Sequence, residues 1–251
     1  MIDTHCHIYK SEMSNAEEII KECYKNNIIL ILNSVDIETS KEVINLANQY
    51  ENVYAAIGIN YECVDNAKPD DLLELEKLLT NKKVVAIGEI GLDYYWTKDN
   101  VERQKDYFIK ELRLSKKYDL PVIVHARDSI QDVYDILKKE NIKKGSMHCY
   151  SGSVEMAKEF IKLGLCIGID GPITYKNNKK GIEVLNNIDI NKLLLETDSP
   201  YLSPEPKRGT TNTSLNLPYI VKKISEVKNI KEEDVIKVTD KTARELFKIG
   251  E

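Results

Sequence analysis

The chain has 251 residues and a formal net charge of −5, with 42% hydrophobic and 31% charged residues. This length supports a large buried core and fits one α/β barrel, so a single domain over residues 1–251 is expected. The charge excludes a generally basic surface for gripping nucleic acid, and no apolar run approaches the ~20 residues of a membrane helix.

Short apolar runs alternate with amphipathic stretches along the whole sequence. The runs lie at 2–6, 28–33, 53–59, 84–90, 122–125, 146–149, 165–169 and 193–196. Most are rich in Val and Ile and nearly continuous in apolar character, as parallel strands covered on both faces are. Helical periodicity falls between them at 16–26, 40–49, 70–79, 101–118 and 154–163. Ser14 with Glu17, and Ser153 before Val154, read as helix starts, whereas Pro121 and Gly164 stand where helices give way to strands. Eight such units predict a (β/α)8 TIM barrel, with a doubly wound open sheet as the alternative. The segment 231–249 reads as an extra C-terminal helix packed on the outside.

The chain opens Met-Ile-Asp-Thr-His-Cys-His-Ile, with neither a basic segment nor an apolar core, so no signal peptide is expected. The cysteines are Cys6, Cys23, Cys63, Cys149 and Cys166, an odd number with no CxxC pair. Reduced thiols and a cytoplasmic location are therefore expected.

The four histidines, His5, His7, His125 and His148, all fall at C-terminal ends of predicted strands. In a barrel this rim is where active sites are built. His5 and His7 lie two apart, so both imidazoles enter the mouth while Cys6 points into packing. The same parity turns His148 inward and Cys149 outward; Cys149 as a thiolate ligand is the alternative. Glu89 ends the fourth strand and Asp198 follows the eighth, each after a run of apolar residues. A buried carboxylate there needs a metal or a basic partner. Glu196, one layer deeper than Asp198, reads as support for the site. Four imidazoles and two carboxylates suffice for two divalent ions, and a bridging carboxylate would space them roughly 3.5–4 Å apart.

Five segments carry a resemblance: IDTHCH at 2–7, GEIGLDYY at 88–95, PVIVHARD at 121–128, MHCYSG at 147–152 and ETDSPYL at 196–202. In this order they resemble the TatD-type metal-dependent deoxyribonucleases of the amidohydrolase superfamily. The resemblance implies one ion on His5, His7, Glu89 and Asp198, and a second on Glu89, His125 and His148. It also implies that Glu89 bridges and that Asp198 orients or deprotonates the attacking water. The implied activity is phosphodiester hydrolysis of DNA, commonly 3′-to-5′ trimming; beside the DNA substrate, a monomer with no membrane partner is expected. The ions would be Zn, Mg or Mn, since imidazole suits zinc while carboxylate and phosphate suit the other two. Members often carry Arg-Asn-Glu-Pro after the eighth strand. Here Asn212 remains but the acid and proline are absent, which bears on substrate fit. Relatives in the superfamily bridge their metals with a carbamylated lysine; here Lys82 and Lys83 precede the fourth strand, at the wrong end of the barrel.

Candidate substrate contacts are Tyr94, Tyr95 and Trp96 as base-stacking surfaces and Arg127 as a phosphate contact or a partner of Asp128. Lys176, Lys179, Lys180, Lys207 and Arg208, with Asn212, mark loops over the mouth. For the aromatics the competing reading is loop packing, and for the lysines a solvated loop. Three functions compete: a nuclease acting on single strands or frayed ends of DNA, a small-molecule amidohydrolase or lactonase with the same ligands, and a non-catalytic metal-binding barrel. Structural metal sites are usually closed, which disfavours the third.

Overall fold

The computed structural model of the protein describes residues 1–250. Eight parallel strands pair in chain order: β1 (Ile2–Cys6), β2 (Ile29–Asn33), β3 (Val53–Ile57), β4 (Val84–Asp93), β5 (Val122–Arg127), β6 (Gly145–Met147), β7 (Leu165–Ile169) and β8 (Leu193–Leu195). The helices between them are α1 (Ala16–Lys25), α2 (Ile37–Gln49), α3 (Asp71–Leu78), α4 (Val101–Tyr118), α5 (Ile130–Lys139), α6 (Val154–Leu163) and α7 (Lys179–Asn187). Two more, α8 (Leu217–Lys228) and α9 (Glu232–Phe247), follow the last strand. The seam between β8 and β1 is bridged by the amides of Thr197 and Asp198, which donate to the His5 carbonyl at 3.4 and 3.0 Å. The Thr4 hydroxyl adds a bond to the Leu195 carbonyl at 3.1 Å. The sheet therefore closes into the expected barrel, not an open doubly wound sheet. No helix among the described residues is long and apolar enough to cross a membrane.

Closure explains the continuous apolar runs. Ile31, Ala56, Ile123 and Leu194 fill the interior, while Leu30, Leu32, Val122, Val124 and Leu195 pack under the helices. These sets form two separate clusters, the inner and outer cores of a barrel. Ser153 caps α6 by accepting from the Met156 amide at 3.3 Å, and Gly164 ends that helix at φ 104°. Ser14 does not cap: α1 starts after Asn15, which makes no side-chain cap bond. Helix α2 starts three residues earlier than its apolar periodicity suggests, because Asp36 and Thr39 form a reciprocal capping box.

Strand β4 runs on past Ile90 to Asp93. Glu89 and Asp93, four residues apart on one strand, consequently share its inner side. The C-terminal stretch also departs from expectation. Instead of lying outside, α9 closes the N-terminal end of the barrel: Ala243, Phe247 and Ile249 join Ile2, Ile31 and Ile123 in the interior cluster. Asp240 accepts from the Ile2 amide at 3.0 Å and pairs with the N-terminal ammonium at 3.4 Å. Left open, that end would present the lowest interior layer to water. Phe247→Ala should therefore behave as a core truncation and lower unfolding free energy by about 3–5 kcal/mol. Denaturant titration measures it; a loss under ~1 kcal/mol would mean that α9 is a surface appendage.

Candidate metal centre

At the opposite end of the barrel, β1, β4, β5, β6 and β8 deliver the expected side chains to one place. The Nε2 atoms of His5 and His7 lie 3.0 Å apart. Glu89 Oε2 is 3.7 Å from each of them, and Asp198 Oδ1 is 3.5 and 3.6 Å away. The other Glu89 oxygen, Oε1, lies 3.0 Å from His125 Nδ1. His148 Nε2 is 3.7 Å from Asp198 Oδ1, and its ring stacks on His5 with centroids 3.5 Å apart. One strand detail makes this possible. Ile2 belongs to the inner cluster and Cys6 to the outer, although strict alternation would put both on one side. The phase changes where the β1–β2 register shifts, between Asp3 and Cys6.

Groups behind the donors set which nitrogen of each ring faces inward. His7 Nδ1 donates to the Asn33 carbonyl at 2.9 Å. His148 Nδ1 donates to Glu196 Oε2 at 2.8 Å. His125 is reversed: its Nε2 donates to Asp93 Oδ2 at 2.9 Å, so Nδ1 faces the centre. Each outward bond fixes a proton on one nitrogen and directs the other lone pair inward, as in carboxylate–histidine–metal arrangements. Gly168 is required here, because a Cβ would lie 1.9 Å from Glu196 Oε1.

The donor set fits divalent metal. Two imidazole lone pairs 3.0 Å apart repel unless a proton or cation stands between them, and both carboxylates are acceptors only. His5, His7 and Glu89 form one group whose ligand atoms lie within 4.8 Å of one another, and Glu89, His125 and His148 form a second. Burial, and then the charge of His148, push the His5 imidazolium well below its ordinary range. Glu89 is likewise held well below the usual carboxylate range: burial opposes this, but His125, His5 and His148 outweigh it.

A second network braces the frame. Buried Asp3 accepts from the His5 amide, from both the amide and hydroxyl of Thr197, and from the Ser214 hydroxyl. It thereby ties β1 to the segment carrying Asp198.

A profile of the family described as TatD related DNase matches residues 2–248. The chain belongs to the TatD family of metal-dependent hydrolases. It is 36% identical to an uncharacterized metal-dependent hydrolase, YabD, of Bacillus subtilis, over 100% of both chains. It is 33% identical to another from Buchnera aphidicola, over 99% of each. The crystal structure of a TatD homolog from Escherichia coli superimposes with a TM-score of 0.93 at 29% identity, covering 99% of this chain and 98% of that one.

In this TatD-family barrel a cavity of about 630 Å³ opens above the donors, walled by His7, Glu89, His125, His148 and Asp198. Of the expected substrate contacts, Arg127 and Trp96 line it. Arg127 ends β5 and lies over Tyr95 instead of pairing with Asp128. Tyr94 does not line the cavity; its hydroxyl donates to Asp132 at 2.8 Å and its ring packs on the outer core, so it is a loop anchor. Asn212 is also corrected. It is fully buried, donating to the Thr197 and Tyr201 carbonyls at 2.8 and 2.7 Å, and it holds the loop after β8 with no face for a substrate. Lys207 and Arg208 lie outside the cavity wall, Arg208 over the Tyr175 ring at 4.4 Å, and so do Lys176, Lys179 and Lys180. Cys149 lines the wall instead of pointing outward, because β6 ends at Met147 and Cys149 turns through φ 43°. Burial, followed by the Asp170 and Asp198 charges, pushes its thiol well above the usual range, which opposes the thiolate alternative. Lys83 bonds to the Tyr50, Glu51 and Val53 carbonyls at the far end of the barrel. Sequence reasoning missed Asp93, Asp3, the Asn33 carbonyl and Tyr61, which stacks on His125 at 4.5 Å. Asp93 was accessible in principle, since it shares parity with Glu89.

Without metal, His148 carries a proton at neutral pH. Burial lowers its pKa, but the charges of Glu196, Asp198 and Glu89 prevail and raise it from 6.5 to about 10. With the folded value above the unfolded one, the associated stability is complete below pH 6.5 and is lost as pH rises through about 10. A metal competes for the same Nε2 lone pair. Zinc binding to chelator-treated protein at pH ~7.5 should therefore release at least about one proton. Calorimetric titration in buffers of differing ionisation enthalpy reads this directly, and a buffer-independent heat would refute it.

Proposed function

We propose that this TatD-family hydrolase cleaves phosphodiester bonds of DNA with two divalent ions, trimming single-stranded or frayed ends in the 3′-to-5′ direction. The observation that carries the reading is the split of the Glu89 carboxylate. Its Oε2 faces His5 and His7 while its Oε1 faces His125, so one side chain serves two nitrogen groups. His5, His7, Glu89 and Asp198 would hold one ion, and Glu89, His125 and His148 the other. When bound, such a pair lowers the pKa of a water and offsets charge on the attacking and leaving oxygens of a phosphoryl centre.

The chain's own groups do the rest. Asp198 is the more accessible of the two carboxylates, its side chain 15% exposed against 7% for Glu89, and it borders the cavity. It is placed to orient the attacking water and accept its proton. Glu196, Asp93 and the Asn33 carbonyl keep three imidazoles oriented throughout, which limits reorganisation during the reaction. The donors line a cavity inside the barrel mouth, an arrangement that favours a strand end over the interior of an undistorted duplex. A strand end can enter. The description of the matching family, TatD related DNase, supports DNA as the substrate.

One observation favours a second reading, a small-molecule amidohydrolase or lactonase: Ile169, Pro172, Ile173 and Leu202 give part of the cavity an apolar wall. Metal-reconstituted protein should be assayed on labelled single-stranded, duplex and closed circular DNA, beside an amide and lactone panel. Trimming of single-stranded ends, abolished by chelation and restored by divalent metal, is expected. Activity that survives full chelation, or amide and lactone turnover without phosphodiester turnover, would overturn the reading.

Variants separate the roles. Glu89→Ala should lose both ions and His125→Ala mainly one. Asp198→Asn should retain metal while turnover falls roughly 10²–10⁴-fold, because an amide does not accept the water's proton. Metal analysis beside turnover decides this; both ions lost from His125→Ala with one kept in Glu89→Ala would reverse the assignment.

A further inference from the structure

The mouth divides into three arcs. After β1 and β3 it carries Glu12 and Glu62; after β7 and β8 it is walled by Asp170 and Asp198 and by apolar residues such as Ile173 and Leu202. Between them, after β4 and at the end of β5, stand Trp96 and Arg127. In strand order β5 lies across the barrel from β1, so Arg127 stands on the side opposite Glu12, whereas Glu62 follows β3, two strands away. Arg127 is the one arginine or lysine among the described residues that line the cavity.

Arg127 is held but chemically uncommitted. Its guanidinium lies 3.7 Å from the centre of the Tyr95 ring and 5.4 Å from that of Trp96. The two aromatic rings meet edge to face at 5.0 Å. Among the described residues no carboxylate pairs with this guanidinium, so stacking fixes its plane and leaves its N–H edge free. Trp96 is 65% exposed, an indole face presented to solvent at the cavity edge. This ledge is tied to the metal donors by one residue. Asp93 Oδ1 accepts from the Tyr95 and Trp96 amides at 2.8 and 3.2 Å, while its Oδ2 holds His125 at 2.9 Å. Arg127 and His125 are two apart on β5 and share its inner side.

Resting on the phosphodiesterase reading above, we propose that this ledge is a nucleotide subsite one linkage away from the bond that is cut. Arg127 takes the phosphate adjacent to the scissile one, through charge-assisted bonds from its free edge. Trp96 stacks the accompanying base without selecting among bases. The strand leaves the cavity over β4 and β5, because Arg127 attracts it there while Glu12 repels it from the opposite side. The terminal nucleoside is left to the apolar arc.

A thymidine dimer with one phosphodiester and a trimer with two test the assignment. The wild-type metal-loaded enzyme should prefer the trimer in kcat/KM. In Arg127→Ala that preference should shrink roughly tenfold or more, and Arg127→Lys should restore part of it. Metal content and melting temperature confirm that the variants fold. An equal loss on both substrates would place Arg127 on the scissile phosphate and overturn the proposal. So would an unchanged preference in Arg127→Ala, or a wild type that does not favour the trimer. If the wild type cleaves neither substrate yet turns over the amide and lactone panel, the phosphodiesterase reading itself is what fails.

Discussion

Burying four imidazoles and two carboxylates within a few ångströms of one another is the constraint to which the rest of this barrel answers. Desolvating that many ionisable groups is costly unless positive charge is shared among them. In the metal-free chain, protons supply the charge. Glu196, Asp198 and Glu89 hold a proton on His148, and carboxylates raise the pKa of His7 and His125 against the opposing effect of burial. His5 is pushed well below its ordinary range by burial and then by the charge of His148, which together outweigh Glu89, so it stays neutral. A divalent ion can take over the same task by displacing those protons. The site is thus a set of acceptors that requires positive charge among them, and proton and metal binding are alternatives at the same atoms.

Such an arrangement holds only if the backbone beneath it cannot relax. The strands supply little rigidity on their own here, since β6 and β8 are three residues long. Asp198, the candidate ligand after β8, lies beyond the strand at φ 56°, a left-handed conformation that aspartate tolerates better than most residues but that still needs support. Three contacts hold it there. The Asp198 amide donates to His5, Asp3 grips both His5 and Thr197, and Asn212 fastens Thr197 from the far side. Asn212 thereby ties the loop after β8 to the barrel seam. Ser214, two residues on, bonds to Asp3 on β1, so the loop is fastened to the frame at a second point.

The legible part of the sequence was the part governed by short-range periodicity. Parity along β1 and β6 placed His5, His7 and His148, and apolar runs placed all eight strands. Periodicity failed where tertiary contacts set the outcome. The strand-end rule stopped β4 at Ile90, which hid Asp93. The phase shift within β1 has no signature in Asp-Thr-His. Cys149 was assigned by parity beyond the point where its strand ends. The lysines after β7 and β8 were read by proximity in sequence, but a loop's side chains follow local partners, and Arg208 found Tyr175. The helix that closes the barrel floor looks like any other amphipathic helix until the interior it covers is known.

These corrections change the electrostatic picture of the mouth. With the loop lysines outside the wall, the cavity carries Glu12, Glu62, Asp170, Glu89 and Asp198 against a single arginine. An anionic substrate would meet net repulsion over most of that perimeter. Attraction must then come from charge bound at the centre, so ions and substrate cannot be independent ligands. Whatever free energy the ions contribute to holding a phosphate, the phosphate returns in holding the ions, since coupling between two binding events is reciprocal. Arg127 is the exception, a fixed cation that needs no metal. Stacked on Tyr95 at the end of β5, it would give the proposed strand an attachment held in register with the centre through Asp93.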